Sequence, residues 1–259
     1  MDFPGVALVT GGASGIGRAT AKLFAARGCK KVIISDLNLE GMEQVKSAIE
    51  QEHKDVNVLV VLTNVRDEAS VEDLISKAIE KFGRIDYCCN VAGITLSGST
   101  VDTTTADFTL QYEILLRGVF FCERAELRAM LKQDRLASND SKFPMRGHIV
   151  NVASLAGLKA YPDLPAYSAF KHGVIGLTKS DAMKYGTEGI RINAVCPGAV
   201  DTPLSNLTSE AIADLSINTG LGRIGYPEEL AEALIWLCSG RSSFVAGITL
   251  SVNGGRSGW

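Results

Sequence analysis

Short apolar runs alternate with longer amphipathic ones almost from end to end, and this alternation constrains the fold more than any other feature. VALVT (6–10), KVIISD (31–36), VNVLVVLTN (56–64), IDYCCNVAG (85–93), GHIVNVAS (147–154) and IRINAVCPG (190–198) read as strands. Between them, GRATAKLFAARG ends at Gly28, and LEGMEQVKSAIEQE and EASVEDLISKAIEKFG show helical periodicity. A long helical region runs from about Thr104 to Lys132, and another follows Pro165. PEELAEALIWLCSG opens on Pro227 and two acids, as a first helical turn should, and GITLSVNGG supplies a last strand. Strands apolar on both faces need cover on both faces, which predicts a parallel sheet between helical layers. Right-handed crossovers then give an α/β, doubly wound, Rossmann-type fold. No internal repeat or low-complexity linker divides residues 1–259, so one domain is expected. The polar stretch KQDRLASNDSKFPMRG (132–147) reads as a surface loop.

Composition narrows the partners. A net charge of −3 argues against nucleic acid, and most charges read as solvated helix faces such as EDLISKAIEKFGR. The six cysteines (Cys29, Cys88, Cys89, Cys122, Cys196, Cys238) form no C-x-x-C pair and read as small buried hydrophobes. His53, His148 and His172 are scattered, so no metal site is expected. The first strand starts within a few residues of Met1 and no apolar run reaches about 18 residues, so a cytoplasmic protein without a membrane span is expected.

Chemistry enters first at VTGGASGIGRA. Gly11, Gly15 and Gly17 follow a strand and open a helix, the context in which a glycine turn approaches a pyrophosphate. A glycine-rich turn alone is weak, but Asp36 ends the second strand nineteen residues after Gly17. A carboxylate there accepts both ribose hydroxyls of an adenosine and repels a 2′-phosphate, and Ala13, Ser14 and Leu37 offer no cation to reverse that choice. The expectation is NAD. Read alone, Asp36 is equally a turn residue at a strand end.

Ser154 ends a strand, at the C-terminal strand ends where such folds bind ligands, thirteen residues before Tyr167. Tyr167 and Lys171 stand four apart in PAYSAFKHG, on one helical face. A lysine ammonium beside the phenol would pull its pKa down from about 10 and make it a proton carrier. The spacing alone leaves open whether the pair is an acid/base device or two ordinary helix residues.

The ordered motifs together resemble the classical short-chain dehydrogenase/reductase family, from about Val6 to Gly255. They are T-G-x-x-x-G-x-G at Thr10–Gly17, N-x-A-G at Asn90–Gly93, Ser154 followed by Y-x-x-x-K at Tyr167 and Lys171, and Asn193…Pro197-Gly198…Thr202. The resemblance implies that Tyr167 is the acid/base, that Lys171 lowers its pKa and binds the nicotinamide ribose, and that Ser154 holds the reacting oxygen. It implies cofactor contacts from Gly11, Ser14, Gly15, Ile16 and Gly17 at the turn, and from Asn64 and Val65 near the adenine. Asn90 and Gly93 would lie along the cofactor, followed by Pro197 and Gly198, with Val200 and Thr202 at the carboxamide. Asp201–Arg223 would form the substrate lid and 155–165 one wall, with Leu96, Leu155, Leu158, Tyr161 and Leu204 making an apolar site for a bulky lipophilic alcohol such as a terpenoid, steroid or polyketide. A homodimer or homotetramer is implied, built on the helices at 104–132 and 161–185 and on the last strand.

Two positions depart from the family pattern. Leu115 stands where the family carries an asparagine that holds a water linking the lysine to solvent, and Gln111, one turn earlier, is the candidate substitute. Val91 replaces a second asparagine. Three other readings remain beside NAD-dependent alcohol oxidation. They are an NADPH-dependent ketoreductase, a non-redox isomerase or cyclase that retains its cofactor, and a non-catalytic cofactor-binding regulator, which would have no need of Tyr167 and Lys171.

Overall fold

A computed structural model describes residues 1–205 and 208–256. Seven parallel strands form the central sheet in the order β3-β2-β1-β4-β7-β8-β9. They are β1 (Val6–Thr10), β2 (Lys31–Asp36), β3 (Asn57–Leu62), β4 (Tyr87–Asn90), β7 (Gly147–Val152), β8 (Ile190–Pro197) and β9 (Thr249–Val252). Every residue of β1, β4, β7 and β8 is buried, which is why apolar residues occupy both faces of these strands, with buried polar exceptions such as Asn90, Asn151, Arg191 and Asn193.

Each strand splits its side chains between two cores. Ala7 and Val9 of β1 join Ile34, Val150 and Phe24 on one face, where α1 (Gly15–Ala26), α2 (Leu39–Glu52) and α8 (Pro227–Cys238) pack. Val6 and Leu8 join Ile33, Ile149 and Ile192 on the other, under α3 (Glu68–Phe82) and α5 (Val119–Met130). The helix bounds have local causes. The side chains of Asn38 and Asp67 accept from the backbone N–H of Gly41 and Ala69 at the starts of α2 and α3, and Gly83, left-handed at φ 80°, ends α3.

Two expectations need correction. The stretch 132–147 is not a plain loop: β5 (Leu136–Ser138) and β6 (Ser141–Met145) form a small antiparallel ribbon, with Leu136 opposite Met145. Its strands span only three and five residues, too few to leave a periodic signal. The ribbon is tied to the body by Asp140, whose carboxylate accepts from the Asp2 backbone N–H at 2.6 Å and from Arg241 at 3.1 Å. The helix at 104–132 is not uniform either. α4 (Thr105–Tyr112) passes through a π-helical segment, Glu113–Gly118, before α5. A π segment alters the hydrogen-bond register and not the residue types, so helical periodicity does not reveal it.

α6 (Pro165–Tyr185) runs behind β7 and β8, and α7 (Ser209–Ile217) stands in the segment 201–223, of which positions 206 and 207 lie outside the described residues. The sheet order reverses beside β1, between β1 and β4, which opens a crevice at the C-terminal strand ends. Among the described residues no helix is long and apolar enough to cross a membrane.

Candidate active site

The crevice is a cavity of about 880 Å³, and the glycine turn, Asp36, Ser154, Tyr167 and Lys171 all line it. The turn is close-packed. Gly11 takes φ +68°, and a Cβ there would sit 2.8 Å from the backbone of Ala92; a Cβ on Gly17 would fall 2.1 Å from the Gly11 carbonyl oxygen. Ser14 begins α1 without spending its side chain on the helix, so the first turn of α1 opens toward Gly15, Ile16 and Gly17 in the cavity wall. A tight turn opening a helix is the geometry that suits an anion. The Asp36 carboxylate is oriented by the backbone N–H groups of Ala13 at 3.1 Å and Asn38 at 3.0 Å, so the turn role and the cavity-lining role belong to the same side chain. A glycine turn at a helix start, a carboxylate at the end of β2 and a cavity of this size fit a dinucleotide.

Asn64, Val65 and Gly93 line the same cavity, as do Pro197, Gly198, Val200, Thr202 and Leu204. Gly118 lets the π segment approach the loop after β3, since a Cβ there would lie 3.1 Å from the Val65 carbonyl oxygen. Leu96 and Tyr161 are not among the lining residues, and Leu155 is buried, packed into the interior where its short 3₁₀ turn directs it. Residues not singled out from sequence also line the cavity, among them Ile94, Thr95, Ile114, Leu164 and Leu215. Their signal is position alone: Ile94, Thr95 and Leu164 lie within three residues of a motif, Ile114 adjoins Leu115, and Leu215 lies in the segment expected as the lid.

Asn90 is turned away from the cavity. It is buried, and its amide donates to Glu126 at 3.1 Å and to the Asn151 side-chain oxygen at 3.0 Å. The Asn151 amide donates in turn to Glu123 at 2.6 Å and to Thr178 at 3.0 Å. Asn90 and Asn151 are ladder partners on β4 and β7, so their side chains leave the sheet on the same side, toward α5. Glu123 and Glu126, which lie on α5 and were not singled out from the sequence, are 1 % and 0 % exposed. Burial raises both, Glu126 to about 7 and Glu123 well above the usual carboxylate range.

Lys171 is buried, and its Nζ donates to the Val152 carbonyl at 2.7 Å while standing 5.7 Å from the Tyr167 ring centroid. Burial lowers its pKa to about 8. Tyr167 differs from expectation. Burial raises its pKa, and the opposing hydrogen bonds come from Ser154 and Thr95. Lys171 gives the phenol no direct hydrogen bond because its ammonium is turned to the Val152 carbonyl. Ser154 Oγ accepts from the Ala156 N–H at 3.1 Å, which leaves its hydroxyl hydrogen free to reach Tyr167 or an oxygen beside it.

Leu115 is fully buried against Ala166 and Phe170, with Cδ2 3.4 Å from where a Gly93 Cβ would stand. Gln111 is 1 % exposed, and its side-chain oxygen finds no hydrogen-bond partner among the described residues.

Residues 11–257 match the family described as enoyl-(acyl carrier protein) reductase. The chain is 37% identical over 268 residues to the short-chain dehydrogenase fogB of Aspergillus ruber, covering 99% of this chain and 98% of that protein. It is 40% identical over 253 residues to cis-4-hydroxycyclohexanecarboxylate dehydrogenase of Sinomonas cyclohexanicum, covering 96% and 95%. The crystal structure of levodione reductase superposes with a TM-score of 0.90 at 36% identity, over 99% of this chain and 98% of that one.

Proposed function

The chain belongs to the classical short-chain dehydrogenase/reductase family, and on that premise we propose that it is an NAD-dependent dehydrogenase interconverting a secondary alcohol and a ketone. The observation that carries this reading is the single cavity lined by the glycine turn, Asp36, Ser154, Tyr167 and Lys171. The nicotinamide cofactor of the family supplies or accepts the hydride when bound. This chain's residues do the rest. Ser154 and Tyr167 hold the substrate oxygen, and Tyr167 Oη takes the hydroxyl proton in oxidation or gives it to the carbonyl in reduction. Lys171 has two N–H groups left after Val152 for the ribose hydroxyls, and its charge favours the phenolate.

The Asp36 carboxylate favours NAD over NADP. Arg66, a cation that also lines the cavity, is engaged by Glu113 at 2.8 Å. Ile94, Ile114, Leu164, Leu204 and Leu215 make the substrate end apolar, which supports a bulky lipophilic substrate. The name of one relative, cis-4-hydroxycyclohexanecarboxylate dehydrogenase, supports a cyclic one. The whole chain is read as one catalytic domain in a cytoplasmic homodimer or homotetramer. Phe108, Tyr112, Phe120 and Met183, exposed on α4, α5 and α6, are the support for that assembly.

The test titrates the protein with NAD⁺ and NADP⁺ and offers each with a panel of cyclic secondary alcohols, following nicotinamide reduction. Reduction of NAD⁺ and not NADP⁺ is expected. Preference for NADP⁺ would overturn the Asp36 argument. Tight NAD⁺ binding without turnover on any alcohol would favour a non-redox rearrangement.

A further inference from the structure

The strand order dictates which way a dinucleotide lies in the cavity. Its pyrophosphate belongs at the glycine turn after β1, and its reacting ring beside Ser154, after β7. β2 and β3 stand on the opposite side of β1, so the adenosine half extends over their ends, past Asp36 at the end of β2. β3 is the outermost of these strands, and the loop that follows it contributes Asn64, Val65 and Arg66 to the cavity wall. Arg66 thus brings a planar cation to the end where the base lies.

That side chain is gripped from one direction only. Arg66 Nε and Nη2 both donate to Glu113 Oε2, at 2.8 and 2.5 Å. Arg117 Nη2 donates to the other Glu113 oxygen at 2.9 Å and to the Arg66 carbonyl at 3.1 Å. Glu113 and Arg117 are the first and fifth residues of the π segment, and Gly118, its sixth, is the residue that lets it approach Val65. The loop's own backbone adds to this, since the Arg66 N–H donates to Asn64 Oδ1 at 3.1 Å and the Asn64 N–H to Ser70 Oγ at 3.0 Å. The segment that departs from α-helical register is therefore the one that fixes the loop after β3.

A carboxylate oxygen shared by Nε and Nη2 meets the guanidinium at its edge and leaves its two flat faces free. Among the described residues no aromatic ring lies over those faces. The Arg66 side chain is 43 % exposed against 16 % for Glu113, so the arginine and not its partner meets the open space. A guanidinium plane stacks on aromatic faces in a way that an ammonium does not. We propose that Arg66, held edge-on by Glu113, stacks its guanidinium plane on the adenine ring of the bound dinucleotide. Glu113 is then a positioning residue, acting on the base through Arg66. This role rests on the dinucleotide part of the proposed function and not on its hydride transfer.

The test measures Kd for NAD⁺, AMP and nicotinamide mononucleotide by calorimetric titration of wild type, Arg66→Lys, Arg66→Ala and Glu113→Ala. Arg66→Lys keeps the charge and loses the plane. Both arginine variants should weaken NAD⁺ and AMP about fivefold and spare the mononucleotide, which carries no adenine. Glu113→Ala lets the plane turn and should weaken AMP in the same direction. Wild-type affinity in Arg66→Lys beside a loss in Arg66→Ala would overturn the proposal, because charge alone would then suffice. Tighter AMP binding by Glu113→Ala would also overturn it, since Glu113 would then only mask a cation. An equal loss toward the mononucleotide would reduce Arg66 to a part of the cavity wall and overturn it as well. If the wild type reduces NAD⁺ and the arginine variants bind it normally, the stacking fails and the dehydrogenase reading stands. If the wild type turns over no alcohol and Arg66→Lys still loses fivefold toward AMP, the stacking stands and the dehydrogenase reading fails.

Discussion

Replacing Glu126 by Gln should stabilise this protein at alkaline pH and leave it unchanged in acid. The carboxyl is 0 % exposed on α5 and accepts from the Asn90 amide at 3.1 Å. No salt bridge among the described residues involves it. Burial is the leading cause of its rise from 4.5 to about 7, against the opposing hydrogen bonds of Asn90 and Cys88. Between those values the folded chain holds a proton that the unfolded chain has already released. Stability therefore falls as pH rises through that window, and above about 7 the full cost is present. The gap corresponds to about 3 kcal/mol. Gln keeps the acceptor for Asn90 and cannot ionise, so it removes the cost. Urea unfolding at fixed protein concentration should show Glu126→Gln more stable by about 2–3 kcal/mol near pH 8, equivalent to several degrees in Tm, and matched to wild type near pH 4.5. An equal effect at both pH values, or a loss near pH 8, would refute the argument that the buried carboxylate is the source.

Two further outcomes follow from the site. Gly17→Ala places a Cβ 2.1 Å from the Gly11 carbonyl oxygen, so NAD⁺ titration should show binding weakened by at least about tenfold even where the variant still folds. Gln111→Leu removes a buried amide whose oxygen lacks a protein partner. If that oxygen holds water on the route to Lys171, turnover should slow several-fold with KM unchanged, and full activity would exclude Gln111 from proton transfer.

Much of the fold and the site is legible in the sequence. β2 and α2 fall on the stretches read from apolar runs and helical periodicity, because both elements are built locally and capped locally. The glycine turn, Asp36, Ser154, Tyr167 and Lys171 meet in one cavity because a doubly wound sheet brings its strand ends together. What escaped depends on tertiary contact. Glu123 and Glu126 carry the composition of a solvated helix face, and only their apposition to Asn151 and Asn90 explains their burial. The same network draws the Asn90 side chain away from the cofactor path that the motif implied. The π segment and the direction of the Tyr167 pKa belong to this class too, since the first is a hydrogen-bond register and the second is set by burial and by where Lys171 points.

The strand order also bears on how the chain reaches this state. β1 pairs with β2 at close range in sequence, but its other neighbour is β4, where Ala7 meets Tyr87. Until that distant strand arrives, β1 presents an open edge, Val6–Thr10, of four apolar residues and one threonine, with nothing charged to blunt it. Loop closure of this length makes the step slow relative to the local pairing. A chain caught before it, with β1, β2 and β3 assembled and β4 still free, exposes a template for edge-to-edge aggregation. The dinucleotide cavity spans the same seam, so a bound cofactor favours the closed state by mass action and lowers the fraction of chains in which that edge is open.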